Sequence, residues 1–228
     1  MRSERRNRTV QRSAGEKNKQ HAGARPPALP APLRWPLGVL AALSGLAVAA
    51  LAVCYAGGVG EGAFDHWARS RAEQLMQRSG PETFQFLVSA DLGSAATLIV
   101  LVALVCLCLG NRRLAVIAMV GPPLVGVVTS VLKPVIGRVI NGEYAFPSGH
   151  TAVITAMALI LGPLMAGRFA LRRTFALLLV LTFAGLCGGV MALALVAGGN
   201  HYASDTIGGF LTALAIVPAI ALVVDGCL

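Results

Sequence analysis

Ala145, Phe146, Pro147, Ser148, Gly149 and His150 run without a break into Thr151-Ala152-Val153-Ile154-Thr155-Ala156-Met157-Ala158-Leu159-Ile160, and this junction decides the reading of the chain. A turn rich in Pro, Ser and Gly opens a helix apolar enough to lie in lipid, and it places one of only four histidines at the mouth. About fifty residues later His201 and Asp205 stand at the mouth of a second apolar segment.

The composition agrees with a chain buried in a bilayer. Of 228 residues, 56% are hydrophobic and 13% charged, with a mean hydropathy of +0.71, which excludes an ordinary soluble domain. Roughly 20 mostly apolar residues are needed for each crossing. Six stretches qualify, at 36–58, 86–110, 114–132, 150–167, 174–196 and 206–224. The expected fold is therefore all-α, a polytopic membrane protein with a six-transmembrane-helix bundle over 35–228. Cys54, Cys106, Cys108, Cys187 and Cys227 lie inside or beside the apolar runs, in neither a disulfide framework nor a metal-ligand spacing, so they read as packing residues.

The basic excess is a tail. Residues 1–34 hold nine of the 19 Lys and Arg against Glu4 and Glu16. With few large apolar side chains and with Pro26, Pro27, Pro30 and Pro32 at its end, this tail reads as disordered. A basic segment before a membrane span is a topology signal attracted to anionic lipid, a simpler partner than nucleic acid. Its polarity, with no small-residue cleavage site after the first apolar run, argues against a removable signal peptide.

Arg112 and Arg113, together with Arg168, Arg172 and Arg173, fall on the side of the tail when six spans are counted. The excess of Lys and Arg assigns that side to the cytoplasm, with both termini. Residues 133–150 and 198–205 then share the external face. Lys133 and Arg138 stand there against the trend; snorkelling explains them, and so does a use for their charge. In the first loop, 59–85, the spacing of Phe64, Trp67, Ala68, Arg71, Ala72, Leu75 and Met76 predicts a short amphipathic helix. An outer-leaflet helix, a lid and a plain connector all suit it. His66 and His21 have no patterned partner, and Asp91 suits a helix cap as well as a functional group.

The external turns hold the parts that phosphoryl transfer needs: positive charge, N–H donors, a nucleophile and an acid. Ser148 can cap the helix that follows, turning the N–H groups of Gly149 and His150 outward at the positive end of its dipole, an anion site. His201 and Asp205 are four residues apart, which sets them on one helical face, so that Asp205 can fix the imidazole tautomer. A helix cap is the plainer use of the same pair.

On these residues the chain resembles the type 2 phosphatidic acid phosphatase (PAP2) superfamily, in its membrane lipid phosphatase branch, over roughly residues 90–224. The family pattern is a Lys-and-Arg stretch, then Pro-Ser-Gly-His, then a Ser-Arg pair followed by His and, four residues on, Asp. Pro147 to His150 match the second part, and His201 and Asp205 match the end of the third. The resemblance implies that His201 forms a phosphohistidine, Asp205 orients it and His150 protonates the departing alkoxide. It implies phosphate binding by Lys133, Ser148 and Gly149, with no metal and no cofactor, and a membrane lipid phosphate or diphosphate as substrate. Two departures stand out. The usual Arg-Pro pair would fall at Ile140 and Asn141, with Arg138 two positions earlier as either its replacement or an approximation. The Ser-Arg pair would fall at Ala194 and Leu195, which leaves one arginine clamp absent, with Asn200 and Tyr202 as the nearest polar substitutes. A degenerate relative that binds or moves an anionic lipid without hydrolysis is the alternative. A channel or carrier gains no support from the nearly charge-free spans.

Overall fold

The computed structural model describes residues 27–58, 60–79 and 92–227. Seven helices and one small hairpin follow one another: α1 (Ala31–Tyr55), α2 (Ala63–Ser79), α3 (Leu92–Cys108), α4 (Arg112–Ile136), β1 (Val139–Ile140), β2 (Glu143–Tyr144), α5 (Gly149–Arg168), α6 (Arg173–Ala197) and α7 (Ala203–Cys227). Five of them, α1, α4, α5, α6 and α7, are long and apolar enough to cross a membrane. Apart from the hairpin, the described residues are thus all-α, with five candidate membrane spans.

Five of the six expected spans correspond to these long helices. Among the described residues the second expected span is α3, 17 residues long and shorter than the other five. Its expected beginning, 86–91 with Asp91, lies outside the described residues, as do His21, most of the basic tail and positions 80–85 of the first loop. The tail also ends sooner than expected. Asp225, in the last turn of α7, accepts hydrogen bonds from the backbone N–H of Ala28 at 2.7 Å and of Leu29 at 3.0 Å. Those bonds hold the chain in place ahead of α1, which begins at Ala31.

Local chemistry sets the helix ends. The Asn111 side chain caps α4 by accepting from Leu114 N–H at 3.0 Å, and α4 stops at Gly137, whose φ of 70° is open to glycine. Asn141 and Gly142 both have positive φ, 52° and 86°, and form the two-residue turn that pairs Val139 with Tyr144 and Ile140 with Glu143. Helix α5 is the centre of the bundle, packed against α4, α6 and α7, while α1 lies along α7. Small residues permit the close approaches expected where lipid offers no hydrophobic drive. A Cβ on Gly188 of α6 would stand 2.5 Å from the Thr155 hydroxyl of α5.

The bundle has two chemically distinct ends. At one, Asp225 also pairs with Arg34 at 3.2 Å and Arg113 at 3.1 Å, and the α5–α6 turn brings Arg168, Arg172 and Arg173 to the same end. At the other, Gly57 N–H donates to Ile136 O at 2.7 Å, which joins the end of α1 to the end of α4. The hairpin, α2 and the α6–α7 turn gather there.

Candidate active site

The two histidine-bearing stretches meet at the second end. Ser148 N–H donates to the Asp205 carbonyl at 2.9 Å, so the turn before α5 and the first turn of α7 touch through backbone. Two glycines of α7 make that contact possible. A Cβ on Gly208 would stand 2.5 Å from the Phe146 ring, and one on Gly209 would run into the Ser148 carbonyl oxygen. Ser148 is fully buried and caps α5, its hydroxyl accepting from Thr151 N–H at 3.5 Å. Gly149 is half-buried and His150 is exposed on the first turn of α5. Lys133, half-buried in the last turn of α4, lies within electrostatic reach of Asp205 and Glu143.

His201 sits in the turn before α7 and is 8% exposed, with Asp205 buried beside it in the helix's first turn. The expected hydrogen bond between them is not made. His201 Nδ1 is 3.7 Å from Asp205 Oδ2 and has no hydrogen-bond partner among the described residues. The reason is competition for the carboxylate. Asp205 Oδ2 accepts Tyr202 N–H at 2.9 Å, closing the helix start in the manner of a capping box, and Oδ1 accepts from Arg138 at 2.6 Å.

Arg138 is the hub of this end of the bundle. The residue is 1% exposed. One guanidinium nitrogen donates to Asp205 and to Ser204 Oγ, each at 2.6 Å, and the other donates to Asp65 Oδ2 at 2.7 Å. The rings of Tyr55 and Tyr202 cover the guanidinium at 4.1 and 4.3 Å. A group with two carboxylates on its nitrogens and rings against its carbon has no free fork for a phosphate; it organises the α7 terminus instead.

Asp65 was not singled out by the sequence. It lies in the first turn of α2, is 1% exposed, and accepts from Ser204 N–H at 2.9 Å as well as from the Ser204 hydroxyl at 2.8 Å. Helix α2 exists as expected, but its buried face is not the aromatic one. Ala68 and Ala72 pack against Val196, Ala197 and Ala203 at the α6–α7 junction, whereas Phe64, Trp67 and Leu75 are 49%, 58% and 50% exposed. The spacing of Asp65, Ala68 and Ala72 on one helical face was the available signal.

The positions that depart from the family pattern are put to structural use. Ile140 packs with Ala145 and Tyr202, and Asn141 Nδ2 donates to Gly199 O at 3.0 Å, tying the hairpin to the α6–α7 turn. Ala194 and Leu195 are buried in α6, and Leu195 O accepts Asn200 N–H at 2.9 Å. Asn200 is exposed, its amide turned to Gly198 O at 3.4 Å, and Tyr202 serves Arg138. His66 is exposed, 3.5 Å from Glu61. Among the described residues no group of three His, Cys, Asp or Glu is arranged to hold a metal ion.

Comparison with known proteins assigns the family. The chain matches the PAP2 superfamily over residues 35–227 and belongs to it. No curated protein and no solved structure matches the chain. Members of the superfamily are phosphatases, and membership implies hydrolysis of phosphate esters.

Proposed function

We propose that this member of the PAP2 superfamily hydrolyses a lipid phosphate or lipid diphosphate through a phosphohistidine on His201. The observation that carries the reading is the backbone bond from Ser148 to Asp205, which holds the Pro-Ser-Gly-His turn against the His201 turn at one end of an apolar bundle. In the proposed reaction a His201 ring nitrogen attacks phosphorus and the bond to the lipid oxygen breaks. His150 gives that oxygen a proton, then takes one from the water that releases inorganic phosphate. Lys133, the Ser148 hydroxyl and the N–H groups of Gly149 and His150 at the start of α5 bind the phosphate oxygens.

A lipid fits better than a soluble ester. The site lies at the rim of helices that present large apolar side chains outward, and α2 adds exposed Phe64 and Trp67 beside it, the ring types that settle at a membrane–water boundary. A phosphatidate or a polyprenyl diphosphate keeps its tail in the leaflet while its head reaches the site. The basic end, with Arg112, Arg113, Arg168, Arg172 and Arg173, faces the cytoplasm with both termini, and the site faces outward. The basic tail before α1 contacts anionic lipid.

One observation favours a second reading, a relative that binds an anionic lipid without cleaving it. Arg138 is committed to carboxylates and Leu195 is buried and apolar, so neither of these two positions supplies an arginine clamp. Release of inorganic phosphate from a panel of lipid phosphates, with chelator present, separates the two. Hydrolysis lost in His201→Ala and His150→Ala supports the phosphatase; lipid binding with no release in wild type supports the binder.

A further inference from the structure

We propose that Asp65 is a positioning residue for this site: from α2 it holds Arg138, and Arg138 in turn holds the Asp205 carboxylate beside His201. The inference rests on the phosphatase reading and extends it to a helix that carries none of the family's motif residues. Three observations converge. Asp65 and Arg138 are both 1% exposed and joined at 2.7 Å. Asp65 also accepts from the backbone and hydroxyl of Ser204, the residue directly before Asp205. Arg138 spends its second nitrogen on Ser204 and Asp205 together.

The charge arithmetic gives the purpose. One buried guanidinium between two carboxylates is shared, so its pull on Asp205 depends on the pull from Asp65. With Asp65 present, Arg138 is drawn toward α2 and Asp205 Oδ2 stays on Tyr202 N–H, 3.7 Å from His201. With that charge gone, the guanidinium follows Asp205 alone and the carboxylate shifts relative to the imidazole. Helix α2 is seated for the task by Ala72 against Val196 and Ala203, and by Arg69, whose guanidinium would lie 2.8 Å from a Cβ on Gly199.

The test compares Asp65→Asn, Asp65→Ser, Arg138→Gln and the Asp65→Asn/Arg138→Gln double variant, in detergent, on the most active lipid phosphate. Asparagine keeps the shape and can still accept from Ser204 N–H, so a helix-capping role alone is rescued by Asn. Positioning is not: kcat falls about tenfold to a hundredfold in Asp65→Asn with KM little changed, since misplacement costs chemistry rather than binding. The double variant is expected to be no slower than Arg138→Gln alone. Glu73→Gln, on the exposed side of α2, keeps wild-type turnover. Wild-type kcat in whichever Asp65 variant folds overturns the inference, as do losses that multiply in the double variant. A lower KM with kcat kept would make Asp65 a rival of phosphate for Arg138 and also overturns it. Wild type with no His201-dependent release sinks the phosphatase reading and this inference together, whereas an active wild type with an indifferent Asp65 sinks this inference alone.

Discussion

Arg138 donates to Asp205 at 2.6 Å, and neither side chain is more than 1% exposed. A basic residue that the sequence offers to a phosphate is thus spent on the carboxylate next to the proposed nucleophile. Site chemistry and fold stability run through the same pair.

The first prediction follows from burial. Removing one partner of a buried ion pair leaves its mate uncompensated, which typically costs about 3–5 kcal/mol. Arg138→Ala strands two carboxylates and is expected to lower the thermal midpoint in detergent by several degrees. Arg138→Lys is expected to recover little, because a single ammonium cannot reach Asp65 and Asp205 in the fork geometry. A midpoint at the wild-type value in Arg138→Ala contradicts the hub.

At the opposite end, Asp225 binds Ala28, Leu29, Arg34 and Arg113. The prediction for Asp225→Ala is a loss of about 2–4 kcal/mol of stability, from several hydrogen bonds worth roughly 0.5–1.5 kcal/mol each. Turnover per folded molecule stays unchanged, since the bundle length separates this end from the site. Specific activity measured after size-exclusion selection checks it; a large kcat loss goes against the two-ended description.

Gly209 offers a backbone test. Its missing Cβ is replaced in space by the Ser148 carbonyl, which cannot swing aside like a flexible side chain. Gly209→Ala is predicted to push α7 from the α5 turn, costing about 1–3 kcal/mol as overpacking does and lowering kcat. Full activity in that variant shows that the Ser148 contact with Asp205 is dispensable.

Installing the family's arginine at Leu195 is predicted to harm rather than restore. Leu195 is 1% exposed and its carbonyl anchors the Asn200 turn, so a guanidinium there enters the packed interior unpaired. Yield of folded Leu195→Arg protein is expected to fall with no gain in kcat; a faster enzyme refutes this placement.

Much of the fold was legible because apolar runs announce spans: the five long helices begin and end within five residues of the expected bounds. The capping role of Ser148 was legible too, from a Ser ahead of an apolar helix. The hairpin at Val139–Tyr144 had its signal in Asn141-Gly142, but of that pair only Asn141 drew notice, as a departure from a motif. Asp65 was missed for a deeper reason. In a protein bathed in lipid the exterior is as apolar as the core, so hydrophobicity does not tell inside from outside. Aromatic residues on α2 turn outward, and small or charged ones, Ala68, Ala72 and Asp65, turn in. Arg138's two carboxylate partners stand 73 and 67 residues away in the chain, a distance that local spacing does not span.

The most direct test of the proposed chemistry is rapid acid-free denaturation of the protein during turnover of a lipid phosphate labelled at phosphorus, followed by mapping of the bound label. The account predicts a base-stable, acid-labile phosphohistidine at His201, absent from His201→Ala. Steady hydrolysis with no label on His201, or label that persists in His201→Ala, contradicts it.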